Sequence, residues 1–172
     1  EWRRCKVATL RLEADRYRSV AAWELLRRML AGKGVRAETL VVTENEFGKP
    51  AFVARPDLKF SLSHTVDRVL AVVGTGPVGC DVERIAELKD GVAEMSLSAQ
   101  ELEFLCTFRE GEARNRAFTR LWTRKEAYAK AQGGGLAGDL QAIPALDGTC
   151  FQDLDFADGT LGCVCSGAID FI

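Results

Sequence analysis

The chain has 172 residues, 47% hydrophobic and 28% charged, the make-up of a globular unit that can bury a core without metal or disulfide staples. Its 23 Lys and Arg against 25 Asp and Glu give a net charge of −2 and an isoelectric point near 5.6, which excludes a general nucleic-acid binder with its basic footprint. The total hides segregation, because residues 1–40 carry a net +5, 41–108 a net −5, 109–130 a net +4 and 131–172 a net −6. No stretch reaches the roughly 20 apolar residues of a bilayer span, and Glu1-Trp2-Arg3-Arg4-Cys5 lacks a signal-peptide core, so the expectation is a cytoplasmic chain with no membrane partner. Cys5, Cys80, Cys106, Cys150, Cys163 and Cys165 form no C-x-x-C pair and have no neighbouring His, which predicts reduced, mostly buried thiols.

In chain order, the alternation over Lys6–Leu12 predicts a strand, and the spacing of Tyr17, Val20, Ala21, Leu25, Met29 and Leu30 predicts a helix stopped by Gly32 and Gly34. Leu40–Val42 is a short strand candidate and Phe47-Gly48-Lys49-Pro50 a turn. Two strands, Lys59–Ser63 and Val69–Val73, are expected around Thr65–Asp67, with another over Val78–Glu83. Ser98 with Glu101 is a capping box that starts a helix. A longer helix runs from about Glu112 to Gln132, ended by Gly133-Gly134-Gly135. Cys150–Phe156 and Thr160–Cys165 flank Ala157-Asp158-Gly159 as a hairpin, and Ala168–Ile172 is a last strand candidate. The order of elements predicts an α+β protein of two halves, about 1–76 and 77–172, joined near Thr75–Pro77.

Gly74-Thr75-Gly76-Pro77-Val78-Gly79 follows a strand and spells G-x-G-x-x-G, which raises a dinucleotide-dependent oxidoreductase as an alternative. That fingerprint needs a helix opening at its third glycine and an acid ending a second strand about 20 residues later. Asp90-Gly91-Val92-Ala93-Glu94-Met95-Ser96 is too short and polar for that strand. A tight glycine turn between two antiparallel strands is the preferred reading.

Asp81 and Glu83, one residue apart, share a face of their strand, while Cys80 and Val82 take the other. Two held carboxylates need a cation between them, and hard oxygen ligands on a strand suit Mg²⁺; a solvated strand edge is the plain alternative. Trp122, Glu126 and Lys130 share one helix face, where Glu126 and Lys130 also fit an ordinary ion pair. His64 is the sole histidine, and no Gly-x-Ser-x-Gly is present, so no internal nucleophilic triad is expected. A carboxylate cluster with lysine and histidine, but no nucleophile of its own, suits metal-assisted phosphoryl-group transfer to an external hydroxyl.

Four stretches in this order resemble the Sfp-type 4′-phosphopantetheinyl transferases of the holo-acyl-carrier-protein synthase superfamily: Phe47-Gly48-Lys49-Pro50, Phe60-Ser61-Leu62-Ser63-His64-Thr65, Val78-Gly79-Cys80-Asp81-Val82-Glu83 and Leu121-Trp122-Thr123-Arg124-Lys125-Glu126-Ala127-Tyr128-Ala129-Lys130. Thr65 stands where this family usually has Ser, and Cys80 where it has a branched aliphatic. The resemblance implies a pseudodimer of two α+β halves with antiparallel sheets and packed helices. It implies transfer of the 4′-phosphopantetheine arm from coenzyme A to a serine of an acyl or peptidyl carrier protein, with release of 3′,5′-ADP.

On that resemblance Asp81, Glu83 and Glu126 hold Mg²⁺, or Mn²⁺ in its place. Glu126 is the base for the incoming serine and Lys130 offsets charge on the phosphate and leaving group. Lys49, Ser63 and His64, with Arg18 for the 3′-phosphate, contact coenzyme A, while Lys125 and Trp122 position the helix. The basic blocks are expected to face this polyanion, and one chain to suffice as a monomer. A non-catalytic carrier- or coenzyme-A-binding module of the same fold is the remaining alternative.

Overall fold

The computed structural model describes residues 2–135 and 139–167 of the chain. Residues 6–12, expected as a strand, instead follow helix α1 (Trp2–Thr9) into a short link. The helix wins over local alternation because it lays Trp2 against Trp23, with ring centroids 5.8 Å apart. Helix α2 (Glu13–Gly32) forms where its apolar spacing predicts, but the buried stripe is Ser19, Ala22, Leu26 and Leu30; of the predicted stripe only Leu30 is fully buried, and Tyr17 and Val20 are exposed. Glu13 and Asp15 in its first turn suit the helix dipole, and Gly34 at φ 72° closes it with N–H bonds from Gly34 to Ala31 and from Val35 to Leu30.

Strands β1 (Val42–Glu44) and β2 (Pro50–Phe52) pair antiparallel around the Asn45–Lys49 turn. The first lies two residues later than its sequence signal, and the second is hidden in the sequence by Pro50. The Asn45 carboxamide accepts from the N–H groups of Phe47 and Lys49, and Gly48 supplies the positive φ. Strands β3 (Lys59–His64) and β4 (Val69–Gly74) form the expected antiparallel pair. Leu26 and Leu30 of α2 pack with Phe52, Leu58 and Phe60 in one core.

Strand β5 (Val78–Arg84) belongs to a different sheet, ordered β5-β7-β6, with β6 spanning Phe151–Phe156 and β7 Thr160–Ser166, all antiparallel. The Gly74–Gly79 segment therefore corrects both sequence readings. It joins strands that are not paired with each other, and its third glycine lies inside β5, where no helix opens. The geometry of a dinucleotide fingerprint is not met.

Helix α3 (Val92–Ser96), which carries no periodic signal, precedes α4 (Ala99–Cys106) and α5 (Glu112–Gln132). The capping box holds: the Ser98 hydroxyl accepts from Glu101 N at 3.3 Å and Ser98 N donates to Glu101 Oε2 at 2.8 Å. Helix α5 lies on β5 and β7 and packs Ala127 and Ala131 against Cys163 and Cys165. The other face of β5 packs Val78 and Cys80 against Leu70 and Val72 of β4. Architecture is α+β, with antiparallel sheets and a long helix laid on each of the two larger ones.

Part of the charge segregation is balanced within the fold. Arg116, Arg120 and Arg124, one turn apart on α5, pair with Asp153 and Asp155 on β6, so a basic segment and an acidic one neutralise each other inside the fold. Cys80, Cys106, Cys150, Cys163 and Cys165 are free thiols, as predicted, although Cys106 is exposed. No helix among the described residues is long and apolar enough to cross a membrane. The strand expected over Ala168–Ile172 lies outside the described residues.

Candidate active site at the β3, β5 and α5 junction

Gly79 sets the geometry of the site. A Cβ there would lie 2.0 Å from the Ala127 carbonyl oxygen and 2.4 Å from Ala131 N, so only glycine lets the α5 backbone rest directly on β5. That close approach carries Lys130, on the last turn of α5, over Asp81 two residues further along β5.

Lys130 Nζ donates to Asp81 Oδ1 at 2.6 Å and to the Ser63 hydroxyl at 3.2 Å. The Ser63 hydroxyl in turn donates to Asp81 Oδ1 at 2.8 Å. Asp81 is 2% exposed, and its second oxygen, Oδ2, is buried with no hydrogen-bond partner among the described residues. A buried carboxylate oxygen without a donor is costly and marks a place for a cation or a proton donor. The ion pair expected within α5 is replaced, since Lys130 turns to Asp81 rather than to Glu126.

Glu83 and Glu126 flank this pair. Burial, with Asp81 adding to it, pushes the Glu83 carboxyl up to about 7. Burial also raises Glu126, again helped by Asp81, while Lys130 pulls the other way. Burial alone would lower Lys130, yet the charge and hydrogen bond of Asp81 hold its ammonium above the ordinary lysine value. Acidic groups short of positive charge are what a hard dication relieves, so the donor set fits Mg²⁺ chemically. No group of three His, Cys, Asp or Glu among the described residues is already arranged around a common metal position.

The remaining expected contacts fall into two places. Lys49 lines a cleft of about 310 Å³ together with Phe47, Phe60, Glu126, Lys130 and Gly133. Its ammonium donates to the carbonyls of Ala131 at 2.8 Å and Val78 at 3.3 Å, and burial and Lys59 lower its pKa. One of its three donors thus ties the Asn45–Lys49 turn to the end of α5 and another to the start of β5, and the Asn45 carboxamide also donates to Gly133 O at 2.8 Å. His64, at the end of β3, is exposed, and its pKa is lowered by partial burial and by Arg18. Arg18 itself bonds Asp15 at 2.5 Å and the Val66 carbonyl at 3.2 Å. The structure thus gathers Ser63, Asp81, Glu83, Glu126 and Lys130, with Lys49 on the cleft wall and His64 with Arg18 at the far end of β3.

Lys125 is fully buried, with Glu101 Oε2 at 2.7 Å and the Leu140 and Ile143 carbonyls at 2.7 and 2.8 Å. Glu101 also accepts from Ala145 N, so this node anchors α5 to α4 and to residues 140–145. Trp122 stacks on Phe118 and lines a second cleft, of about 300 Å³, that reaches Glu83. Sequence reasoning missed Ser61 and Thr65, whose hydroxyls meet β5; the alternation Ser61, Ser63, Thr65 was the signal available.

Residues 77–158, which include β5, α5 and the Asp81, Glu83, Glu126 and Lys130 positions, match the 4′-phosphopantetheinyl transferase superfamily. The 4′-phosphopantetheinyl transferase gsp of Aneurinibacillus migulanus is 36% identical over 126 residues, covering 71% of this chain and 51% of that protein. The 4′-phosphopantetheinyl transferase psf-1 of Bacillus pumilus is 30% identical over 144 residues, covering 83% and 61%. The 4′-phosphopantetheinyl transferase Sfp of Bacillus subtilis (strain 168) is 29% identical over 98 residues, covering 57% and 43%. The chain spans about half the length of these curated relatives. It belongs to the 4′-phosphopantetheinyl transferase superfamily.

Proposed function

We propose that this chain is an enzyme that transfers the 4′-phosphopantetheine group from coenzyme A to a serine hydroxyl of an acyl or peptidyl carrier protein and releases 3′,5′-ADP. The observation that carries the reading is the orphaned Asp81 Oδ2, buried beside two carboxylates of raised pKa and against Lys130. Such a site is built for a dication and a polyanion together.

Asp81, Glu83 and Glu126 would hold Mg²⁺, which when bound supplies charge neutralisation at the pyrophosphate oxygens. The Lys49 cleft takes coenzyme A, with one Lys49 donor left for phosphate. Ser63, His64 and Arg18 extend that cationic and hydrogen-bonding wall along β3. Glu126, raised in pKa and facing the cleft, accepts the proton of the carrier serine as its oxygen bonds to the phosphorus bearing the arm. The bond from that phosphorus to the 3′,5′-ADP oxygen breaks, and Lys130 offsets the charge that develops there. One chain carries every group in this scheme, which favours a monomer; the halves 1–76 and 77–172 each contribute, through Ser63 and through Asp81.

Release of 3′,5′-ADP from coenzyme A tests the reading. Release should need both Mg²⁺ and an apo carrier protein, and Glu126→Gln should abolish it. Release without any carrier, or undiminished in that variant, contradicts it.

A further inference from the structure

Strands β3 and β5 share no backbone ladder, since β3 pairs with β4 and β5 with β7. What joins them is a row of hydroxyls. Alternation puts Ser61 and Ser63 on one face of β3, and Thr65, just past its end, continues the row. Cys80 N donates to Ser61 Oγ at 3.1 Å and the Ser63 hydroxyl donates to Asp81 Oδ1 at 2.8 Å. The Thr65 hydroxyl donates to Glu83 Oε2 at 3.4 Å and accepts from Arg84 N at 3.3 Å.

The three hydroxyls do different work. Ser61 holds backbone, and Ser63 shares Asp81 with Lys130. Thr65 is bound on both sides: because the Arg84 N–H occupies its acceptor side, its own proton is directed at Glu83. Glu83 is half-buried, and among the described residues Thr65 is the hydrogen-bond donor to its carboxylate.

We infer that Thr65 is a positioning residue that aims the Glu83 carboxylate for the cation, acting across the gap between the two sheets. This rests on the metal role proposed above for Glu83. Outer-shell partners of metal ligands typically change metal affinity by about 10–100-fold when removed.

Mn²⁺ titration calorimetry of the full chain, with thermal midpoints beside it, tests the inference. Thr65→Val should weaken Mn²⁺ binding by about tenfold or more, whereas Thr65→Ser, which keeps the hydroxyl, should bind like the starting protein. Thr65→Ala gives a second deletion of the hydroxyl in case valine fails to fold. Equal Mn²⁺ affinity in a folded Val or Ala variant overturns the inference, as does a Ser variant as weak as these. A starting protein whose Mn²⁺ binding is absent, or is indifferent to Asp81→Asn, would overturn the metal reading itself. Mn²⁺ binding that is lost in Asp81→Asn but intact in the folded Thr65 deletions overturns the inference alone and so separates the two.

Discussion

Lys130 and Asp81, 49 positions apart in sequence, meet at 2.6 Å because Gly79 lets α5 settle onto β5. The ammonium satisfies one carboxylate oxygen and leaves the other for a different partner. Lys130→Met should remove the charge that offsets the leaving group, lowering the transfer rate at saturating coenzyme A on the order of 100-fold. Steady-state kinetics should show the loss in kcat rather than in KM. Unchanged kcat would remove Lys130 from the chemistry.

Gly79→Ala tests the close approach itself. The added carbon meets backbone atoms rather than a flexible side chain, so α5 must lift. We expect a stability loss at the upper end of overpacking costs, about 3 kcal/mol, measured by urea denaturation. Metal affinity should fall with it, because lifting α5 separates Glu126 and Lys130 from Asp81.

The buried Lys125–Glu101 pair is a separate stability determinant. Lys125→Met leaves Glu101 buried without its counter-charge, and breaking such a pair costs about 3–5 kcal/mol. Chemical denaturation should show that loss, whereas the variant that remains folded should keep its affinity for coenzyme A.

Glu83 gives the metal-free protein a defined pH dependence. Its folded pKa, about 7, lies above the ordinary glutamate value of 4.5, so the folded state binds the proton more tightly. The resulting stabilisation is full below about 4.5 and is lost as pH rises through about 7. Thermal midpoints without metal should carry a component that falls from pH 5 to 8, and Glu83→Gln should flatten it. Mn²⁺ binding near pH 6.5 should release protons, visible as a buffer-dependent calorimetric heat.

Much of this was legible in the sequence where local chemistry decides the outcome. The Ser98–Glu101 box, the bounds of α5, the β3–β4 pair and the Asp-Gly hairpin each follow from spacing or turn residues. Alternation misled at Lys6–Leu12, where the tilted ring contact of Trp2 with Trp23, a tertiary contact, outweighs the local pattern. Helix α3, five residues long, is too short to show a period, and Pro50 conceals β2. At the site, the shared face of Asp81 and Glu83 could be read from period 2 alone. Three things could not: the capture of Lys130 by Asp81, the use of Lys49 on two carbonyls and the Thr65 contact to Glu83. Each depends on the β3, β5 and α5 elements meeting in space.

Intact-mass spectrometry of an apo carrier protein incubated with this chain, coenzyme A and Mg²⁺ reads the transfer itself. The carrier serine should gain one phosphopantetheine arm, and the gain should be absent with Glu126→Gln or when chelator removes the metal. An unmodified carrier across a panel of acyl and peptidyl carriers, under conditions where coenzyme A binds, would contradict the proposed transfer.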